Sequence, residues 1–194
     1  MKDIENVVSI YVNDLFREYN NDHLSFHNMI HIQEVVKNVT LIGKHSGASK
    51  DDILLLRTAA WFHDVGVTVQ YKNHETESIA IARDFLNQLN CEPRFIDVVA
   101  ELIDATRMPQ NPKTLLSEMI CDADLAHLAN KKYHLYAGRL RQEWAHFLNK
   151  RFSDAEWNKF NLSFLKNHRY FTPYGQMVMA KQKQLNIARL AAVN

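Results

Sequence analysis

The segment FHNMIH at positions 26–31 sets two histidines four residues apart, and a largely apolar run ends in His63-Asp64. Imidazole and carboxylate are the side chains that bind borderline and hard divalent cations. On a helix, His27 and His31 would share a face, and His63-Asp64 falls where a buried helix gives way to polar chain. With Asp124, inside the phrase CDADL, these residues compose a two-histidine, two-aspartate candidate metal site. A cation held there would activate water for hydrolysis.

The elements that must position these groups read as helices. Apolar positions recur three and four apart, as at Val35, Val36, Val39 and Ile42, and only five glycines and four prolines interrupt the 194 residues. The spacing predicts an all-α fold, with helices at 2–20, 27–46, 51–63, 74–90, 93–106, 114–129, 131–149, 154–168 and 174–192. Breaks fall at Gly47 with Ser49 and Asp51-Asp52, at Gly66, and at Pro109 and Pro112. Pro93 and Pro173 sit where a first-turn proline is tolerated. No repeat, low-complexity tract or linker divides the chain, so one domain over 1–194 is expected.

The segment DDILLLRTAAWFH at 51–63 is apolar on most of its circumference after an acidic start, as a helix surrounded by others would be. A histidine and an aspartate at its end must then be paired or ligating, because an uncompensated buried charge is costly. Metal ligation and a hydrogen-bonded pair capping the helix both meet that demand. His31 taken alone fits a core or surface histidine.

Composition narrows the function classes. With 46% hydrophobic and 23% charged residues the chain can bury a sizeable core. Its 23 basic and 22 acidic residues leave a net charge of +1 without long runs of either sign, so bulk electrostatics call for neither nucleic acid nor a membrane surface. Two cysteines, Cys91 and Cys121, suit a reducing compartment. The N-terminus lacks the pattern of a secretory signal and no window is apolar enough to span a bilayer, so a soluble, cytoplasmic protein is the expectation. Trp144, Phe147, Trp157, Phe160 and Phe164 recur at helical spacing and read as packing, while His127, His134, His146 and His168 read as ordinary.

Four phrases in order, FHNMIHIQEVV, AAWFHDVG, HETESIAIA and CDADLAHL, resemble those of the HD superfamily of metal-dependent phosphohydrolases. The likeness covers roughly residues 24–190, and YAGRLRQEW at 136–144 is similar to a bacterial branch described as predicted HD phosphohydrolases. The resemblance implies an HD-domain helical bundle of about eight to nine helices. It implies His31, His63, Asp64 and Asp124 as ligands of one divalent ion drawn from manganese, iron, zinc, cobalt, nickel or magnesium. It leaves Asp122 as a helix or supporting group. His27 corresponds to the histidine that protonates the leaving oxygen in similar phosphodiesterases, although a hydrogen-bonded histidine one turn before a ligand reads equally well.

His74 and Glu75 open the next helix, where Glu75 would support the metal or substrate, or serve the helix dipole. Two-metal relatives supply further histidines between the central pair and the last aspartate. Here only His74 lies in that interval, which favours a single ion. Arg107, which stands where related sequences often carry histidine, and Arg141 are candidates to bind substrate phosphate; Lys113 and Arg139 are others. The expectation is hydrolysis of a small phosphate ester, nucleotides included, by metal-activated water in which Asp64 and His27 take part. The alternative is an HD-fold module that binds nucleotide or metal without turnover, and a third is a helical scaffold with coincidental histidines.

Overall fold

The computed structural model describes residues 4–192, so the expected helical positions 2 and 3 lie outside the described residues. The described residues form α1 (Ile4–Tyr19), α2 (Met29–His45), α3 (Lys50–Phe62), α4 (His74–Gln88), α5 (Pro93–Ala105), α6 (Leu115–Asp124), α7 (Tyr133–Phe147), α8 (Asp154–Asn167) and α9 (Ala180–Ala191), with no strand among them. None of these helices is long and apolar enough to cross a membrane.

α3 is the centre, as its apolar circumference predicts. It starts on a capping box in which Ser49 and Asp52 satisfy each other's backbone amides, and it packs against α1, α2, α4, α5 and α6. Leu56, Ala59, Ala60 and Phe62 of α3 are fully buried, against Val8 and Val12 of α1, Ile32, Val35, Val39 and Ile42 of α2, and Ile103 of α5. A smaller core of Leu125, Leu128, Tyr133 and Leu165 joins α7, α8 and α9. Beside it, Trp144 meets Trp157 and Phe160 edge-on with ring centres 5.5 and 5.3 Å apart, the packing role expected of these aromatics.

Several helix boundaries differ from the sequence-based prediction, the segment expected as helix from 174 starting with a π-helical turn, Gly175–Met179, ahead of α9; two of the differences have a clear local reason. α2 begins at Met29 because Asn28 caps it, its Oδ1 accepting from the amides of Ile30 and His31. His27 therefore precedes the helix. The helix expected to run to 129 ends at Asp124 and tightens into a 3-10 turn, Leu125–Ala129. There His127 Nδ1 donates to the Asp124 carbonyl at 3.1 Å, taking the acceptor that an α-helix would offer to the amide of residue 128.

Gly66 carries a steric constraint that brings two site segments together. A Cβ there would stand 1.9 Å from the carbonyl oxygen of His74 and 2.6 Å from the amide nitrogen of Ser78, which are backbone atoms that cannot step aside. The Gly66 amide also donates to Ser78 Oγ at 2.8 Å. This close approach presses the start of α4 against the turn after Asp64. Gly138, by contrast, has nothing within 4 Å of its would-be Cβ. Gly66→Ala should destabilise the protein by about 3 kcal/mol through overpacking, whereas Gly138→Ala should stabilise it by up to about 1 kcal/mol through helix propensity. Urea-unfolding midpoints of the two variants measure both; equal midpoints would remove the constraint.

Candidate metal centre

Three elements aim four donor side chains at one point. His31 comes from the first turns of α2, His63 and Asp64 from the end of α3, and Asp124 from the last residue of α6. His31 Nε2 lies 3.3 Å from Asp64 Oδ2, 3.2 Å from Asp124 Oδ1 and 3.4 Å from His63 Nε2. His63 Nε2 lies 3.1 Å from Asp64 Oδ2 and 3.7 Å from Asp124 Oδ1. With bonds of about 2.1 Å, donors around a single ion stand about 3.4 Å apart in a tetrahedral shell and about 3.0 Å apart in an octahedral one. Four of the five observed spacings fall in that range, and the His63–Asp124 spacing of 3.7 Å lies just above it.

The donor chemistry fits a cation as well. Asp64 Oδ2 is buried and accepts no hydrogen bond from a described residue, although two imidazole nitrogens stand close to it. A buried carboxylate oxygen without a donor is costly unless a positive charge answers it. His63 Nδ1 donates to the Ala60 carbonyl at 2.8 Å, which fixes the proton on Nδ1 and leaves the Nε2 lone pair facing the cluster. His74 and His127 repeat the device, each bonding through Nδ1 to the carbonyl three residues back, Tyr71 and Asp124 respectively.

Asp64 faces two ways. Its Oδ1 lies 3.1 Å from His74 Nε2, so a second convergent group of His27, Asp64 and His74 stands beside the first group of His31, His63 and Asp124. His74, alone in its sequence interval, is thus joined by His27 from the other side. The position of His27 depends on Glu143, a fully buried residue of α7. Glu143 Oε1 accepts the amides of Phe26 and His27 at 2.6 and 2.8 Å, and Oε2 accepts His27 Nδ1 at 2.5 Å and the Tyr71 hydroxyl at 2.9 Å. His27 and His31 do meet, their ring centres 6.2 Å apart, but a carboxylate 116 residues away arranges this rather than a shared helical face.

Electrostatics follow from burial and pairing. Burial alone would lower the pKa of His31, but its hydrogen bond to Asp124 and the negative charge of Asp64 beside it outweigh that and raise the value to about 9. His74 reaches about 9 against the same burial cost, through Asp64. His63 also moves up, burial being outweighed by the charge of Asp64 and by hydrogen bonding to Asp124. Asp64 and Asp124 move down despite burial, because imidazoles surround them. Glu143 likewise lies below its ordinary value, its burial offset by His27. His127 goes the other way, to about 4, through burial and then repulsion from His31. That keeps its ring neutral.

The remaining site candidates are engaged with other partners. Glu75 is buried but pairs with Arg107 at 3.2 Å, and Arg107 also binds Asp104 and Thr76. Arg141 Nη1 is 2.7 Å from Asp154 Oδ1 and Nη2 bonds the Phe152 carbonyl. Two positions from Glu143, it points about 200° around α7 from that carboxylate. Asp122, fully buried, accepts the amides of Phe171 and Thr172 and the Thr172 hydroxyl, which ties down the approach to α9. Sequence reasoning missed Glu143 as the anchor of His27, and Gln110, whose Nε2 stands 3.4 Å from Asp124 Oδ2. His127, read as ordinary, borders the cluster, its ring centre 5.1 Å from Phe26 and 6.3 Å from His31. Glu143 sits in the YAGRLRQEW phrase, which could have marked it; Gln110 carries no such signal.

No curated protein matches the sequence. Among solved structures, a predicted HD superfamily hydrolase from an uncultured Thermotogales bacterium shares 15% identity, with 97% of this chain and 89% of that one covered and a TM-score of 0.65. Bacillus subtilis YpgQ, solved in complex with ADP, shares 14% identity over 94% of this chain and 95% of its own, also with a TM-score of 0.65. Both share the fold. The HD domain profile matches residues 28–129, a stretch that begins just before His31, contains His63-Asp64 and closes just after Asp124, and the chain belongs to the HD domain family.

Proposed function

We propose that the protein is a metal-dependent phosphohydrolase that cleaves small phosphate esters, with nucleotides as the first substrates to test. The observation that carries this is the convergence of His31, His63, Asp64 and Asp124 around a buried carboxylate oxygen without a hydrogen-bond donor. The ADP complex of the Bacillus subtilis neighbour is the reason for placing nucleotides first.

In this proposal those four residues hold one divalent cation, which when bound supplies a nucleophile from water near neutral pH and neutralises charge on the phosphoryl group. The chain's own groups do the rest. Ala60 and Tyr71 carbonyls fix the tautomers of His63 and His74, so that their Nε2 atoms face Asp64. Gln110 steadies Asp124 through its second oxygen. Glu143 holds His27 by Nδ1 and by the main chain, leaving Nε2 to carry a proton to the leaving oxygen. The neutral ring of His127 and the ring of Phe26 limit the access of bulk water beside His31. Glu75 and Arg107, engaged with each other, are given no step.

The deciding experiment is phosphate release from a panel of nucleotides and sugar phosphates, with and without chelator. Release that manganese or zinc restores supports the proposal. Nucleotide-induced thermal stabilisation without release would favour the binding-module alternative.

Asp64→Asn should abolish both bound metal and turnover while the helical circular dichroism persists. His27→Ala should lower kcat by about 10²- to 10⁴-fold with metal content unchanged, and Glu143→Gln by about 10- to 100-fold. Elemental analysis alongside initial rates separates these variants. pH dependence gives a further prediction. The raised pKa values of His31 and His74 mean that their stabilising contribution in chelator-treated protein is complete below about 6.5 and is lost as pH rises through about 9. The lowered values of Asp64 and Asp124 contribute above about pH 4 and are lost in acid. Chelated protein should therefore melt at a lower temperature at pH 9.5 than at pH 6, and added metal should raise the melting temperature more at pH 9.5. Calorimetry showing the opposite order would contradict the pairing.

A further inference from the structure

A second cavity lies away from the metal cluster, and none of the cluster's residues lines it. This groove of about 330 Å³ opens between α7, α8 and α9, within the size range of small-ligand pockets. Its cations are Lys131, Arg141 and Arg189, and no aspartate or glutamate is among the residues that line it. Arg141 is answered by the exposed Asp154, but among the described residues Arg189 bonds only the Lys131 carbonyl and the Asn186 amide oxygen. Lys131 makes no side-chain bond among the described residues, so two cations stand at one groove with no acidic partner.

The rest of the lining mixes two aromatic rings with polar side chains, His134, Asn158 and Asn161 among them. Tyr133 and Trp157 line the groove, Tyr133 held by its hydroxyl bond to Asn161 Oδ1 at 2.5 Å and Trp157 by the aromatic cluster with Trp144 and Phe160. Trp157 is 5% exposed, yet its indole Nε1 is buried without an acceptor among the described residues. It is an unsatisfied donor on a residue that lines the groove. Gly138 on α7 adds room, since a side chain there would meet nothing within 4 Å. From these features we infer that the groove is a binding site for a phosphomonoester with a flat ring body, a nucleoside monophosphate by class. Lys131 and Arg189 take the phosphate, and the ring lies against Tyr133 and Trp157. The groove also reaches the metal-bearing part of the chain. Asn186, on its wall, donates to the carbonyls of Leu128 and Asn130, at the end of the turn that follows Asp124.

The chain has three tryptophans, so its indole N–H signals give a local readout by two-dimensional NMR, with Trp157→Phe assigning the one at the groove. Titration of the full-length, metal-loaded protein with adenosine monophosphate should shift the Trp157 signal saturably, and inorganic phosphate should need at least tenfold higher concentration. The double variant Lys131→Glu/Arg189→Glu and, separately, Gly138→Leu should each weaken binding at least tenfold while the rest of the spectrum stays folded. Phosphate release measured on the same variants should equal that of the unmodified protein, whatever its value. No movement of the Trp157 signal at millimolar nucleotide, or unchanged affinity after charge reversal, would overturn the site. Inorganic phosphate binding as tightly as the nucleotide would overturn the ring-binding part. Turnover lost in step with the NMR response would overturn its separation from the metal cluster.

Discussion

Two carboxylates beside the central helix of an apolar core, Asp64 buried and Asp124 partly buried, are the constraint on which the rest of this structure turns. Asp64 is 4% exposed and Asp124 stands against it through shared histidines. Uncompensated, such charges cost several kcal/mol each, so the fold must supply positive charge at the same point. It does so with imidazoles carried by α2 and α3 and by the start of α4. The packing that buries α3 on five sides is also what makes the end of α3 a low-dielectric site, where charge–charge interactions are strong. Core and chemistry are thus parts of one arrangement.

Position within that arrangement comes from short-range devices repeated along the chain. Three histidines bond through Nδ1 to the carbonyl three residues behind them, which fixes each ring, and for His63 and His74 this leaves Nε2 facing Asp64. Gly66 lets the His74 segment approach the turn after Asp64 more closely than any side chain would permit. Glu143 closes the arrangement from α7, fastening the residues just before α2 by three hydrogen bonds and Tyr71 by a fourth. Each device is small, and together they leave little freedom to the donors.

Those features legible in sequence were the ones with local signatures. The apolar circumference of residues 51–63 marked the central helix, the 3.6-residue period marked the all-α fold, and the order of four phrases marked the HD family. Spacing could not report partners distant in sequence. It could not show that Glu143 holds His27, that His74 meets Asp64, or that Arg141 turns toward Asp154 at the start of α8. Nor did periodicity reveal the end of α6 at Asp124, because apolar residues continue in register through Leu128 while a side-chain hydrogen bond from His127 changes the backbone. At 15% and 14% identity, the two structural neighbours speak to the fold; the chemistry rests on the residues of this chain.

Anomalous diffraction from a crystal grown with manganese or zinc, recorded at the metal's absorption edge, examines the convergence of donors most directly. A peak is expected within about 2.3 Å of His31 Nε2, His63 Nε2 and one oxygen each of Asp64 and Asp124. A map featureless among those four side chains, or a peak bound to other residues in their stead, would contradict a metal centre at this position.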